Sequence, residues 1–87
     1  MYYVYIIYSV KLSKKYIGFT EDLQRRITEH NNGKDAFTSK GLPWRLVYYQ
    51  AFISKKDAMA EERFLKTGKG RERIKFLFTN TNFGEFA

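Results

Sequence analysis

Eighty-seven residues have room for one hydrophobic core and not for two, so the chain reads as a single domain over residues 1–87. With no Cys and one His, disulfides, thiolate metal sites and a zinc site are excluded, and a cytoplasmic setting is the default. Sixteen Lys and Arg against nine acids leave a formal charge of +7, which favours a polyanionic partner but is also a common device for solubility.

Residues 2–9, YYVYIIYS, are apolar or aromatic on both alternation faces, the pattern of a central strand covered on each side. The N-terminal run lacks a basic leader and a cleavage site and falls far short of the roughly 20 residues that span a bilayer, so no membrane role is expected. Residues 11–15 are polar and suit a hairpin connection, which returns residues 15–19 antiparallel to the first strand. If Ile7 pairs with Tyr16 and Tyr5 with Gly18, strand parity puts Tyr5 and Tyr16 on the same face.

Thr20 is the expected N-cap of the first helix, with Glu21 and Asp22 in its first turn and Asn31-Asn32-Gly33 as a left-handed stop. With Leu23 at zero and about 100° per residue, Ile27 falls at roughly 40°, His30 at roughly 340° and Arg26 at roughly 300°. An arginine and a histidine therefore border the helix's apolar stripe, where solvated charge is uncommon. The plain alternative is that both side chains snorkel past the core edge to water.

Residues 34–43 have no period and read as a mobile loop, and residues 44–52 (WRLVYYQAF) resume strand composition. Ser54 caps a second helix running to about residue 67. With Met59 at zero and the same step of about 100° per residue, Ala58 lies at roughly 260°, Leu65 at roughly 240° and Glu62 at roughly 300°, inside the apolar arc. Glu61 lies at roughly 200°, toward solvent. A carboxylate at a core edge needs a partner, either a salt bridge to Arg26 or a cation. Gly68 and Gly70 break the chain before a third helix over residues 71–78, with Ile74, Leu77 and Phe78 on one face. The tail, TNTNFGEFA, is irregular.

A tyrosine-rich hairpin, an Arg and a His on one helix and a Glu on another suit phosphodiester hydrolysis. Mg²⁺ is held by as few as one or two carboxylates, Arg matches phosphate oxygens, and Tyr or His serves as base once its pKa is suitable. The residues also resemble the GIY-YIG endonucleases. The first motif stands as Tyr3-Val4-Tyr5 and the second as Tyr16-Ile17-Gly18, with Tyr5 and Tyr16 eleven apart; Arg26, His30 within HNNG, and Glu62 follow in order. The chain is similar to the small stand-alone bacterial members and to the nuclease domain of subunits that cut branched DNA. Two departures stand out: Tyr3 replaces the first motif's glycine, and the active-site Asn that often follows the glutamate has only Asn80 or Asn82 as a counterpart.

The resemblance implies an α+β fold, a small three-stranded antiparallel sheet with flanking helices. It also implies an endonuclease, dependent on Mg²⁺ or Mn²⁺ and with no organic cofactor, acting on branched or single-stranded DNA in repair or recombination. Its catalytic set is Tyr5, Tyr16, Arg26, His30 and Glu62, the last as metal ligand, with the choice of general base among Tyr5, Tyr16 and His30 left open. Outside the motifs, Lys34, Lys40, Lys66, Lys69, Arg71 and Arg73 are the candidates for binding phosphate. The competing readings are a basic nucleic-acid-binding module of the same fold with weak or no catalysis, and a structural protein with no nucleic-acid affinity.

Overall fold

The computed structural model describes residues 1–86. Within them the fold is α+β, a three-stranded antiparallel sheet with three α-helices. Strand β1 (Tyr2–Ser9) lies in the middle, with β2 (Lys14–Thr20) on one side and β3 (Trp44–Phe52) on the other. The hairpin register pairs Tyr5 with Gly18 and Ile7 with Tyr16, as strand parity required for a shared face. On the other side Ile6 pairs with Tyr48 and Ile7 with Leu46, so Val47 is an extra residue that bulges β3.

Because successive side chains of β1 point to opposite faces, one strand serves two cores. Val4 and Ile6 pack with Ala58 and Leu65 of α2 (Lys55–Leu65) and Ile74 of α3 (Gly68–Leu77). Tyr5 and Ile7 pack on the other side with Trp44, and with Leu23 and Ile27 of α1 (Leu23–Asn31). Val4, Ile6 and Ile7 are fully buried, and each contributes about 1.5–3 kcal/mol relative to exposure.

The helix ends differ in part from expectation. Asp22, not Thr20, caps α1, its carboxylate accepting the Arg25 N–H at 3.1 Å. Thr20 sits two residues earlier, its hydroxyl accepting the Asp22 N–H. At the far end Gly33 adopts φ +73°, and Gly33 and Lys34 donate to the carbonyls of His30 and Glu29, which closes the helix as a Schellman turn. Ser54 caps α2 as expected, accepting the Asp57 N–H, although the helix stops at Leu65.

The third helix begins three residues before its expected start. Thr67, not the glycines, makes the break: its hydroxyl donates to the Phe64 carbonyl at 2.6 Å and accepts the Gly70 N–H at 3.1 Å. Gly68 and Gly70 are helical, and Gly70 is buried where a Cβ would run into the Phe64 carbonyl and the Leu65 backbone. The glycine there permits a close helix approach rather than a turn. Ile74 and Phe78 pack inward, but Leu77 is exposed.

The segment over residues 34–43, expected to be a mobile loop, is built instead as an ordered bracket. A 3-10 turn, Thr38–Gly41, buries Thr38 and Gly41 and leads into a cis Leu42–Pro43 peptide bond. The Thr38 carbonyl accepts the Trp44 indole N–H at 2.6 Å, and the Asn31 side chain both donates to and accepts from the Trp44 backbone. The segment's polar groups thus find buried partners, which a periodicity argument does not detect. At the other end of the chain the tail forms a 3-10 turn, Phe83–Phe86, and Phe83 stacks on Tyr8 at 4.5 Å.

Candidate active site

Tyr5 reaches the site by crossing the edge strand. In register opposite Gly18, its ring lies over that residue, where a Cβ would collide with the phenol. The missing side chain lets the Tyr5 hydroxyl travel out toward the β2 edge. There it meets His30 from α1, with 2.8 Å between the phenol oxygen and Nε2. The other ring nitrogen, Nδ1, is 2.9 Å from the Thr38 hydroxyl, and Thr38 also donates to the Asp35 carbonyl.

His30 and Thr38 are fully buried and Tyr5 is 1 % exposed, so this is a polar chain inside the protein. Burial first, and then the Arg26 charge, hold the imidazole's pKa below its ordinary 6.5, which keeps the ring neutral near pH 7. A neutral ring carrying its proton on Nδ1 donates to Thr38, leaves Nε2 to accept from Tyr5, and frees the Thr38 hydroxyl for Asp35. We assign that tautomer because it satisfies every member of the chain; among the described residues no buried side-chain polar atom lacks a partner.

Burial pushes the Tyr5 phenol up to about 12, against the pull of the neighbouring Arg26. Tyr16 and Glu62 add to the rise, which places both within electrostatic reach of the same hydroxyl. Arg26 is held from its far side by Glu29 at 3.3 Å and Asp35 at 3.0 Å. The Phe37 backbone N–H and the Arg26 guanidinium keep the Asp35 carboxyl below its usual range. The alternative partner for Glu62, a salt bridge to Arg26, is not formed; Glu62 instead meets Lys66 at 3.4 Å, an exposed contact one turn along α2.

Tyr16 packs edge-on against His30, with 5.2 Å between ring centres, and lines an open groove of about 340 Å³ together with Lys66 and Arg71. The five motif residues come from β1, β2, α1 and α2, and Arg26, His30 and Tyr16 meet at the Tyr5 phenol or at the imidazole bonded to it. Glu62 arrives from the helix on the opposite face of the sheet.

Glu61 corrects the helical-wheel reading. Its side chain is 14 % exposed against 24 % for Glu62, and it pairs with Arg73 of α3 at 3.0 Å. Met59, taken as the zero of the wheel, is 36 % exposed, whereas Ala58 and Leu65 are fully buried. The true stripe centres at about 250°, and both glutamates border it at about 50° on either side. Tertiary packing ties Glu61 to α3 and leaves Glu62 paired with Lys66 at the end of its own helix.

Among the cations outside the motifs, Lys66 and Arg71 lie in the groove beside Tyr16, and Arg73 is engaged by Glu61. Lys40 borders a second, more apolar cavity, while Lys34 and Lys69 lie outside both. Asn82 accepts the Gly84 N–H. It lies with Asn80 in the tail next to Phe83, which packs on Tyr8, a residue of the sheet face opposite Tyr5. Three residues of the site were not expected: Asp35, Thr38 and Asn31. The first two sit in the segment read as a mobile loop, and the only local signal was an Asp and a Thr close behind the helix stop.

The site's donor set is hard and oxygen-based. Among the described residues there is no cluster of three or more His, Cys, Asp or Glu able to hold a metal ion. One carboxylate held only by an exposed lysine still fits Mg²⁺ or Mn²⁺, which keep several waters and take substrate oxygens. No helix among the described residues is long and apolar enough to cross a membrane.

A family model described as the GIY-YIG catalytic domain matches residues 1–75. A UPF0213 protein of Streptococcus pneumoniae is 40% identical over 79 residues, covering 90% of this chain and 79% of the relative. Another UPF0213 protein, from Lacticaseibacillus paracasei, is 44% identical over 77 residues, covering 87% and 85%. The solution NMR structure of a UPF0213 protein from Bacillus halodurans is similar at a TM-score of 0.57 and 38% identity, covering 93% of this chain and 89% of that one.

Proposed function

This chain belongs to the GIY-YIG family, and from that premise we propose that it is a DNA endonuclease, dependent on Mg²⁺ or Mn²⁺, that hydrolyses phosphodiester bonds in repair or recombination. The observation that supports the reading is the Tyr5 hydroxyl, bonded to a buried His30 and neighboured by the Arg26 guanidinium, with the Tyr16 ring packed on the same imidazole.

Glu62 would hold the cation, displacing Lys66. Bound there, a divalent cation supplies Lewis-acid stabilisation of charge on the phosphate oxygens. Tyr5 takes a proton from the attacking water as it passes its own to His30 Nε2, so the phenolate never has to accumulate. This favours Tyr5 over His30 as the group nearer the substrate, because both His30 nitrogens are occupied, while the Tyr5 oxygen, as buried as the imidazole, also neighbours the Arg26 guanidinium. Thr38 and Asp35 hold the imidazole in the accepting tautomer. Arg26, steadied by Glu29 and Asp35, keeps further N–H groups for the phosphate, where negative charge grows in the transition state. Tyr16, at the groove wall, positions the strand.

Purified protein incubated with duplex, single-stranded, flap and forked DNA, in Mg²⁺ or in EDTA, tests the reading. Cleavage in Mg²⁺ that EDTA abolishes, and that Glu62→Ala abolishes while DNA binding persists, is the expected result. Binding without cleavage under every metal condition would leave the nucleic-acid-binding module as the answer. A chain with no affinity for any of these DNAs is a structural protein.

A further inference from the structure

Phe37 is 71 % exposed, although its neighbours in the chain are hydrogen-bonded into the interior. Its backbone N–H donates to the Asp35 carboxylate at 2.9 Å, and the next residue, Thr38, is fully buried and bonded to His30 and Trp44. The ring is thus presented to solvent from a hydrogen-bonded support. A lone exposed apolar side chain needs no explanation, but this one forms a wall of a cavity.

That cavity, about 270 Å³, has an apolar lining that includes Leu12, Phe37 and Trp44, and it carries Lys14, Lys15 and Lys40 with no carboxylate among the described residues. It shares Phe37 and Lys15 with the groove that holds Tyr16, Lys66 and Arg71. The Phe37 and Tyr16 rings lie 5.8 Å apart. A strand entering along Lys66 and Arg71 therefore passes the Tyr16 ring and arrives at Phe37.

An aromatic face and an apolar slot ringed by ammonium groups match a nucleotide, whose base has two flat apolar faces and whose phosphate is anionic. A base inside a duplex cannot enter such a slot, because its faces are already stacked and its edge is paired. The volume, at the small end for ligand clefts, suits one planar heterocycle. We infer that Phe37 and the cavity behind it form a subsite for one unpaired nucleobase next to the scissile phosphate. The substrate class is then a strand that is single at the cut, as in single-stranded, flap or forked DNA. This deepens the nuclease reading and rests on it.

The test compares binding and cleavage of a short single strand with the blunt duplex of the same sequence, for the full chain and for Phe37→Ala, Phe37→Tyr and Phe76→Ala. Phe76, 79 % exposed on α3, is a control for loss of any surface aromatic. Phe37→Ala should lower the preference for the single strand by roughly five- to a hundredfold, the range that one lost base–aromatic stack gives. Phe37→Tyr should keep the preference, and Phe76→Ala should match the parent. Abasic sites walked along the single strand should reveal one position where removing the base weakens the parent protein and adds nothing to Phe37→Ala.

Equal losses on single strand and duplex, or no abasic position coupled to Phe37, overturn the subsite while leaving a nuclease that cuts DNA. A Phe37→Ala protein with unchanged nucleic-acid behaviour but altered sedimentation assigns the cavity to protein contacts and overturns the subsite as well. If the parent protein neither binds nor cuts any DNA, the nuclease reading falls and takes the subsite with it.

Discussion

The two faces of the sheet are built from alternate residues of one strand and differ in kind. Behind Val4 and Ile6 the core is hydrocarbon, closed by Ala58, Leu65 and Ile74. Behind Tyr5 and Ile7 it includes a phenol, an imidazole and a hydroxyl in continuous hydrogen bonding, all at or near zero exposure. The first kind tolerates shape changes in proportion to the volume removed or added. The second ties stability to protonation, since each member must keep a partner of the right donor or acceptor sense. Strand parity thus keeps the hydrocarbon core and the buried polar chain on opposite faces of one sheet.

The largest effect expected from breaking that separation is on the rate. Glu62→Ala should abolish measurable metal-dependent cleavage, a loss of about a thousandfold or more, the rate equivalent of the several kcal/mol that Lewis-acid stabilisation contributes. Glu61→Ala should instead keep most of the activity and lose about 1 kcal/mol of stability with its tie to Arg73. Steady-state cleavage assays and urea unfolding of both variants separate the two roles. Matching rate losses would mean that the neighbouring glutamates share one job.

On the hydrocarbon side, Gly70→Ala should cost about 3 kcal/mol or more, because a Cβ there meets backbone that cannot step aside. A shift of the urea midpoint by less than a third of that would show that α2 and α3 can slide apart cheaply.

Changing the pH sharpens the comparison from the polar side. Tyr5's folded pKa lies above its unfolded value of 10.0, so the folded state keeps the proton longer; its contribution is complete below pH 10 and drains away as pH rises to about 12. The loss is about 2–3 kcal/mol for a shift of that size, and Tyr5→Phe should remove this alkaline limb. His30's folded pKa lies below 6.5, so the unfolded chain takes up its proton first and stability declines as pH falls below that value. Asp35, depressed from 3.8, adds a loss only in stronger acid. Denaturation profiles that stay flat on both limbs would contradict a buried, proton-sensitive chain.

The smallest effect concerns the outer cations. Neutralising Lys69 and Arg71 together should reduce the slope of log K against log salt by roughly 0.9 for each duplex phosphate that the variant no longer neutralises. Neutralising Arg73 alone should leave the slope unchanged, because Glu61 holds its guanidinium. A reduced slope in the Arg73 variant would show that DNA can pull this residue away from α2.

Local chemistry in the sequence was enough to settle the central strand, the hairpin, the Ser54 cap, the left-handed stop at Gly33 and the order of the five motif residues. Each depends on parity, propensity or a single residue's conformational freedom, and such properties act over a few neighbouring positions. The bracket over residues 34–43, the different partners of Glu61 and Glu62 and the purpose of Gly70 were decided by tertiary structure. Thr38 is buried because His30 and Trp44 use its hydroxyl and carbonyl, Glu61 turns inward because α3 brings Arg73, and Gly70 is needed because α3 presses on Phe64. In each case the partner lies on another element, and no helical wheel or turn rule contains the position of a group that the chain brings back from elsewhere.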